Sequence, residues 1–209
     1  MERVIQHIVS IGYRRIMVMA VGIVILGLGI SLFKLSALGN DPSSAMVMAI
    51  GDHIGVDFAR TLLAANCIWF LAELKWGRHY IGLGTVVNWF GVGSISMVFT
   101  NLINRTGFVP ENLPQRLAVT AAALLVLSLA ASMYQTADVG IAPYDSLSLM
   151  LRDRLPVKYF WCRIFTDVIC VALCLMFGGL VGLGTVICSL GLGPFIHFFD
   201  RHVSEKLVG

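Results

Sequence analysis

A charged pair lies inside a run of apolar residues that is long enough to cross a membrane. Arg163 and Asp167 are four residues apart within residues 159–177, so a helix would place both side chains on one face. An ionised carboxylate at the bilayer centre costs at least about 2.5 kcal/mol on insertion scales, so we expect Asp167 to face protein and not lipid. The pair could neutralise itself and hold helices together, or it could line a polar path.

Polar residues also cluster around two prolines. The first cluster comprises Asn40, Asp41, Pro42, Ser43 and Ser44, and the second comprises Pro143, Tyr144, Asp145 and Ser146. Asn and Asp are good helix N-caps and Pro suits the first helical turn, so each cluster predicts the start of a helix. Residues 42–54 give a helix of 13 residues, too short to cross a bilayer, and residues 143–155 give a similar one.

Two placements are open for these short helices, and they imply different chemistry. A re-entrant helix would bring its N-terminus into the interior, where free N–H groups favour an anion or the negative end of a polar solute. Asp41 and Asp145 could instead use that dipole themselves and favour a cation or a proton. A helix lying flat at the interface would cover the end of the bundle without forming a site.

The composition is that of an integral membrane protein. Of the 209 residues, 57% are hydrophobic and 13% are charged, and the mean hydropathy is +0.84. The net charge of +3 is modest, so we expect no nucleic-acid partner. All five cysteines lie in apolar runs without metal-ligand spacing, so neither a metal site nor a cofactor is expected.

The chain contains an internal repeat. The pentapeptide from Gly82 to Val86 returns from Gly182 to Val186, and Asn66 aligns with Asp167. We therefore predict an all-α integral membrane fold of two related halves, with six transmembrane helices and two short Pro-led helices.

The predicted boundaries follow the apolar runs. The first half, residues 1–103, holds spans 16–33, 58–76 and 80–103 with the short helix 42–54, residues 104–116 form a linker, and the second half, residues 117–209, holds spans 117–137, 159–177 and 179–199 with the short helix 143–155. Arg60, Glu73 and Lys75, near the ends of span 58–76, are expected to snorkel towards water.

Three crossings per half is an odd number, so we predict that the two halves have opposite orientations in the membrane. With a cytoplasmic N-terminus, six crossings put both termini and 11 of the 15 basic residues on the inside. A parallel arrangement of eight crossings would put 12 basic residues inside, but it would need both short segments to span.

Two motifs are each complete in only one half. The first is Gly140-Ile141-Ala142-Pro143-Tyr144-Asp145, whose counterpart in the first half ends at Ser44 and lacks the aromatic residue and the following Asp. The second is Gly84-Thr85-Val86-Val87-Asn88, whose copy in the second half lacks the Asn. These motifs resemble those of the YczE/YitT-type family of bacterial inner-membrane proteins, over about residues 16–200. The resemblance implies a multi-pass protein of the bacterial inner membrane and implies no particular substrate.

The prediction for function is a transporter or channel-like protein for a small polar or charged solute. Its site would combine both Pro-led clusters with Asn66, Asn88, Arg163 and Asp167 where the halves meet. The alternative is a scaffold or accessory subunit that does not transport. An intramembrane enzyme is a weaker third class, since no nucleophile elbow is present and no catalytic residue is predicted. The expected partners are the lipid bilayer and the solute, and a homo-oligomer is compatible with the sequence.

Overall fold

The computed structural model describes residues 12–208, which are helical apart from short connections. The helices are α1 (Tyr13–Ser36), α2 (Pro42–Ile54), α3 (Phe58–Trp76), α4 (Leu83–Arg105), α5 (Leu113–Thr136), α6 (Pro143–Arg154), α7 (Tyr159–Met176), α8 (Leu183–Phe199) and α9 (Glu205–Val208). A 3₁₀ turn (Arg78–Tyr80) precedes α4, and a π-helical segment (Asp200–Ser204) joins α8 to α9. Residues 1–11 of the predicted first half, and Gly209, lie outside the described residues.

Within residues 12–208, five helical segments are long and apolar enough to cross a membrane: α1, α4, α5, α7 and the segment Leu183–Val208. The helices α2 and α3 pass the same test together, as a pair bent by 114°. A bend of that size is typical of a broken span or a re-entrant loop. The count of five or six spans confirms the predicted all-α membrane fold. The opposite orientation of the two halves remains a prediction.

Several helix ends differ from the predicted ones by a few residues. The helix α5 begins at Leu113, inside the predicted linker, because the Asn112 side chain caps it by accepting a hydrogen bond from the N–H of Gln115 (3.0 Å). The helices α4 and α8 begin at Leu83 and Leu183, later than predicted, since Gly82 and Gly182 are their N-cap residues. The repeated pentapeptide therefore forms the N-cap and the first turn of two helices, and not a segment in their middle.

The loops that lead into α2 and α6 share one backbone conformation. Ala37 and Asp138, which correspond in the repeat, both have φ of 52°, and they are the two non-glycine residues with positive φ among residues 12–208. Two positions later, Gly39 and Gly140 have φ of 112° and 119°, which favour glycine. The internal repeat is therefore present in local structure as well as in sequence.

Each repeated pentapeptide packs against the loop of the other half. The N–H of Gly84 donates to the carbonyl oxygen of Val139 (2.9 Å), and the N–H of Gly184 donates to that of Leu38 (2.8 Å). A Cβ on Gly82 or on Gly182 would collide with the same carbonyl groups. The glycines therefore permit close backbone approach, and their partner is a loop and not a neighbouring helix.

The long helices α1 and α5 form the centre of the bundle. The backbone of α1 at Gly22 lies against Tyr134, and at Gly29 it lies against Leu127, as is common where small residues let membrane helices approach. The outer surface is apolar. On α7, for example, Phe165 and Val168 are 58% and 59% exposed, which suits contact with acyl chains.

Candidate functional site

Both short helices begin inside the bundle and end at its surface. In α2, the residues from Pro42 to Val47 are buried, whereas Ile54 at its end is 57% exposed. In α6, Pro143 and Tyr144 are buried and Arg154 is exposed. A helix lying flat would expose one side along its whole length, whereas these helices place their N-termini in the interior, as a re-entrant helix requires.

Four charged and polar side chains from α6 and α7 form one buried network. Arg163 donates through Nη1 to Asp145 Oδ1, and its Nε lies 3.4 Å from Asp167 Oδ1. The Tyr144 hydroxyl donates to Asp167 Oδ1 (2.6 Å), and the guanidinium carbon of Arg163 lies 5.0 Å from the centre of the Tyr144 ring. Asp167 is 2% exposed, which confirms that it does not face lipid.

A further tyrosine completes this network from the centre of the bundle. The hydroxyl of Tyr134, on α5, donates to Asp145 Oδ2, and Gln135 Nε2 donates to the same hydroxyl (3.3 Å). Each of the two carboxylates therefore has one contact with Arg163 and one tyrosine hydroxyl. The sequence analysis missed Tyr134, because a single tyrosine near the end of an apolar span carries no signal that separates it from a packing residue.

A cavity of about 80 Å³ lies beside the network. Its apolar walls come mainly from α1, α3, α4, α5 and α8, and its polar side chains are Asp41, Ser43, Ser44, Asn66, Asn88, Tyr144, Asp145 and Arg163. These side chains come from both halves of the chain. A small apolar enclosure with a few convergent polar groups is typical of a ligand site.

Among residues 12–208, two side-chain atoms of residues that line this cavity have neither a hydrogen-bond partner nor an ion-pair contact. They are Oδ1 of Asp41 and Nδ2 of Asn88, and their residues are 8% and 4% exposed. Buried polar groups in proteins are normally hydrogen-bonded, because an unpaired one costs about 1–3 kcal/mol. A free acceptor and a free donor therefore lie on two residues that line one cavity.

The remaining predicted site residues lie next to the cavity and do not line it. Pro42 and Pro143 set the first turns of α2 and α6. Ser146 is fully buried and donates to the carbonyl oxygen of Pro143 (2.9 Å), so it stabilises the start of α6. Asp167 contacts Tyr144 and Arg163, which do line the cavity, and so helps to fix the positions of their side chains.

Asn40 lies between the central cavity and a second one. Its amide nitrogen is 3.5 Å from the carbonyl oxygen of Ile30, which lines the central cavity, and 3.6 Å from the sulfur of Met48, which lines the second. The second cavity, of about 140 Å³, is also bounded by Asn40 itself and by the exposed Lys34. One side chain held by two long contacts thus forms part of the wall between the two spaces.

Glu73, on α3, contradicts the expectation that it snorkels. The residue is 0% exposed, and neither carboxyl oxygen has a hydrogen-bond partner among residues 12–208. The neighbouring Ser146 hydroxyl is already used on Pro143. The sequence placed Glu73 near a span end, where long side chains usually reach water, and only the packing of α3 against α6 encloses it.

A cluster of hydrogen-bonded surface side chains lies at the exposed end of α6. The Tyr80 hydroxyl donates to Asp153 Oδ2 (2.6 Å) and accepts from Arg152 Nη2 (3.2 Å). Burial and the hydrogen bond to Asp153 raise the pKa of Tyr80 to about 12. The Tyr80 hydroxyl and the Arg152 guanidinium lower the pKa of Asp153. This cluster ties the turn before α4 to α6.

The described residues offer no group of three or more His, Cys, Asp or Glu side chains that could hold a metal ion. All five cysteines are free. The carboxylates near the cavity belong to the Arg163 network or cap a helix, which is not the oxygen-rich shell that Mg²⁺ or Ca²⁺ requires.

The chain is similar to several proteins that have no assigned activity. Residues 13–201 match the family described as "Family of unknown function (DUF6198)". An uncharacterized protein of Haemophilus influenzae is 25% identical over 90% of this chain and 84% of its own length. In Bacillus subtilis, the uncharacterized protein YyaS is 26% identical over 89% and 94% of the two lengths.

The uncharacterized membrane protein YczE of Bacillus subtilis is 21% identical, over 85% of this chain and 81% of its own length. This likeness confirms the resemblance drawn from the two short motifs. No solved structure matches the chain significantly.

Proposed function

The chain belongs to DUF6198, a family of unknown function, and we propose that it is a transporter or channel-like protein for a small polar or charged solute. The solute binds in the cavity between α2, α6 and α7, and the protein lies in the bacterial inner membrane with both termini in the cytoplasm. The observation that carries the proposal is the pair of unpartnered buried atoms, on Asp41 and Asn88, at that cavity.

The position of the cavity supports this proposal. Asn66 and Leu127 line the cavity near the middle of α3 and α5, so the cavity lies at about half the length of these helices. Many transporters bind solute near the midplane, where helices that do not span point their N-termini at the site. The buried starts of α2 and α6 have this geometry.

The reciprocal contacts of the two halves support an exchange symmetry between them. The contact from Gly84 to Val139 has its equivalent in the contact from Gly184 to Leu38. Combined with three crossings per half, this symmetry favours inverted repeats, whose rocking would open the cavity to one side and then to the other. The route past Asn40 to the Lys34 cavity is one such opening.

A second candidate is a scaffold that does not transport. The observation that favours it is the neutralisation of Arg163 by two carboxylates, which also holds α6 and α7 together. In that case the cavity would stay closed to water from both sides of the membrane.

Labelling of an introduced cysteine separates the two candidates. Ser44 lines the cavity and is 5% exposed, so Ser44→Cys is made in a full-length variant whose five native cysteines are replaced by alanine. In proteoliposomes, a membrane-impermeant methanethiosulfonate reagent is expected to modify the new thiol from at least one side. Modification is read by mass spectrometry.

The matched control is Ser128→Cys, since Ser128 is fully buried on α5 and does not line the cavity. The control thiol is expected to stay unmodified under the same conditions. If Ser44→Cys is as protected as Ser128→Cys from both sides, in a folded protein, the transport proposal is wrong and the scaffold remains.

A further inference from the structure

We propose that the central cavity binds a small organic ammonium ion that carries a hydrogen-bond acceptor, with the Asp41 carboxylate as its counter-ion. This inference rests on the proposed function and names the chemical class of the solute. The geometry that carries it is the juxtaposition at one cavity of a free carboxylate oxygen, a free amide N–H and an indole ring, from Asp41, Asn88 and Trp69.

The charges around the cavity leave one carboxylate without a cation. Asp145 and Asp167 share the single guanidinium of Arg163, and each also accepts from a tyrosine hydroxyl. Asp41 has neither kind of partner. The residue lines the cavity, its Oδ2 accepts from the N–H of Ser44 (3.0 Å), and its buried Oδ1 has no partner among residues 12–208. A solute that enters can supply the missing positive charge.

The same arrangement argues against an anion. The sequence left open that the N-termini of α2 and α6 attract a negative solute. In the structure, Asp41 caps α2 with its own side chain, and Asp145 lies in the first turn of α6. These carboxylates already occupy the positive ends of both dipoles, so an anion would meet net negative charge there.

The other lining groups favour an organic cation over a bare metal ion. Trp69 lines the cavity, with its ring centre 5.1 Å from that of Tyr144, and the face of Tyr144 is already taken by Arg163. An ammonium group near an indole ring gains cation–π attraction. The free N–H of Asn88 needs an acceptor, which a hydroxyl or carbonyl on the same solute can provide.

The volume limits the size of the solute. A dry cavity of about 150 Å³ holds a molecule of the size of benzene. The cavity of about 80 Å³ is roughly half as large, so it suits a solute of a few heavy atoms. Ethanolammonium has an ammonium group, a hydroxyl group and four heavy atoms, and therefore serves as the probe.

Binding is measured on the full-length protein in lipid nanodiscs, by scintillation proximity with ¹⁴C-ethanolamine at pH 7. Unlabelled propylammonium, which has the same size and charge but no hydroxyl, is expected to compete several-fold less well. Unlabelled propionate and 1-propanol, of similar size, are expected not to compete. Tetraethylammonium is expected to be excluded by its size.

Asp41→Asn tests the counter-ion and keeps the helix cap, since Asn caps nearly as well as Asp. It is expected to weaken ethanolammonium binding by about a hundredfold, in line with the loss of a buried charge pair. Asp57→Asn is the matched control, because Asp57 caps α3 in the same way, from the protein surface, by accepting from the N–H of Arg60 (3.1 Å). This control is expected to bind as the wild type does.

A second pair of variants tests the ring. Trp69→Leu is expected to weaken binding by several-fold, whereas Trp161→Leu, at a residue 59% exposed on the outer face of α7, is expected to have no effect. Thermal unfolding of each variant identifies any that has lost its fold.

The outcomes separate this inference from the proposed function. If Ser44→Cys is accessible but propionate binds, or Asp41→Asn binds ethanolammonium like the wild type, the ammonium assignment is wrong and transport stands. If no probe binds and Ser44→Cys is also protected, both proposals are wrong.

Discussion

The two Pro-led segments have corresponding positions in the repeat, but their side chains make different contacts. In the second half, Tyr144 and Asp145 are both tied into the network around Arg163. In the first half, Asp41 caps its own helix and leaves an oxygen free at the cavity, and its neighbours Ser43 and Ser44 line the same space. One copy is thus a structural anchor, and the other offers binding groups.

The comparison shows how a duplicated unit can form an asymmetric site. The backbone of both copies is the same at the preceding loops, with φ of 52° at Ala37 and at Asp138. What differs is the helix that follows each short helix. Arg163 and Asp167 lie on α7, whereas the residue of α3 that corresponds to Asp167 is Asn66. The charged network therefore forms only on one side, and the neutral side stays available to solute.

Removal of the anchor should have the largest effect. Arg163→Ala leaves Asp145 and Asp167 buried without a cation. Such a loss typically costs about 3–5 kcal/mol, which is a large part of the free energy of unfolding of a typical protein. We expect loss of folded protein, measured by size-exclusion chromatography in detergent. Arg163→Lys keeps the charge but cannot bridge both carboxylates, so it should retain part of the stability. A stable Arg163→Ala protein would show that the network is not an anchor.

Disruption of the reciprocal backbone contacts should have the next largest effect on stability, and the effect should be equal in both halves. Gly82→Ala and Gly182→Ala each place a methyl group against a carbonyl of the opposite loop. Overpacking of this kind costs about 1–3 kcal/mol, so we expect similar drops in the midpoint of thermal unfolding. Gly91→Ala is the control, since its Cβ would meet its nearest neighbour, Ile95, at 3.6 Å. Unequal effects of Gly82→Ala and Gly182→Ala would break the symmetry.

The two aspartates themselves should differ in their effect on stability. Asp145→Asn weakens charge-assisted hydrogen bonds from Arg163 and Tyr134, each worth about 1.5–3 kcal/mol. Asp41→Asn retains the cap and should cost less than about 1 kcal/mol. Reversible unfolding in mixed micelles measures both. If Asp41→Asn is the more damaging substitution, the assignment of anchor and binding copy is reversed.

The smallest effect is expected at the surface cluster of Tyr80. The pKa of Asp153 is lowered in the folded state, so its contribution to stability is present above the unfolded pKa and is lost as the pH falls through the folded one. For an exposed pair this amounts to less than about 1 kcal/mol. Tyr80→Phe should reduce the loss of unfolding midpoint between neutral and strongly acidic pH. A steeper loss in the variant would contradict the role of the hydroxyl.

Some of the site could be read from the sequence, because membrane burial limits what polar residues can do. An Asp in an apolar span has to face inwards, and Asp167 does so at 2% exposure. Pro42 and Pro143 begin short helices, because Pro fits the first turn. Tyr134 and Glu73 escaped prediction, since their burial depends on the packing of α5 and α3 against distant segments.

The sequence alone determined the membrane fold, the internal repeat and the residues that cannot face lipid, since hydropathy, helix length and the cost of buried charge act locally. The tertiary structure decided which carboxylates share Arg163 and which one stays free, because that choice depends on distances between helices far apart in the chain. The sequence predicted Asp41, Asp145 and Asp167 together as residues of one site. Only their surroundings distinguish the anchors, Asp145 and Asp167, from the free group, Asp41.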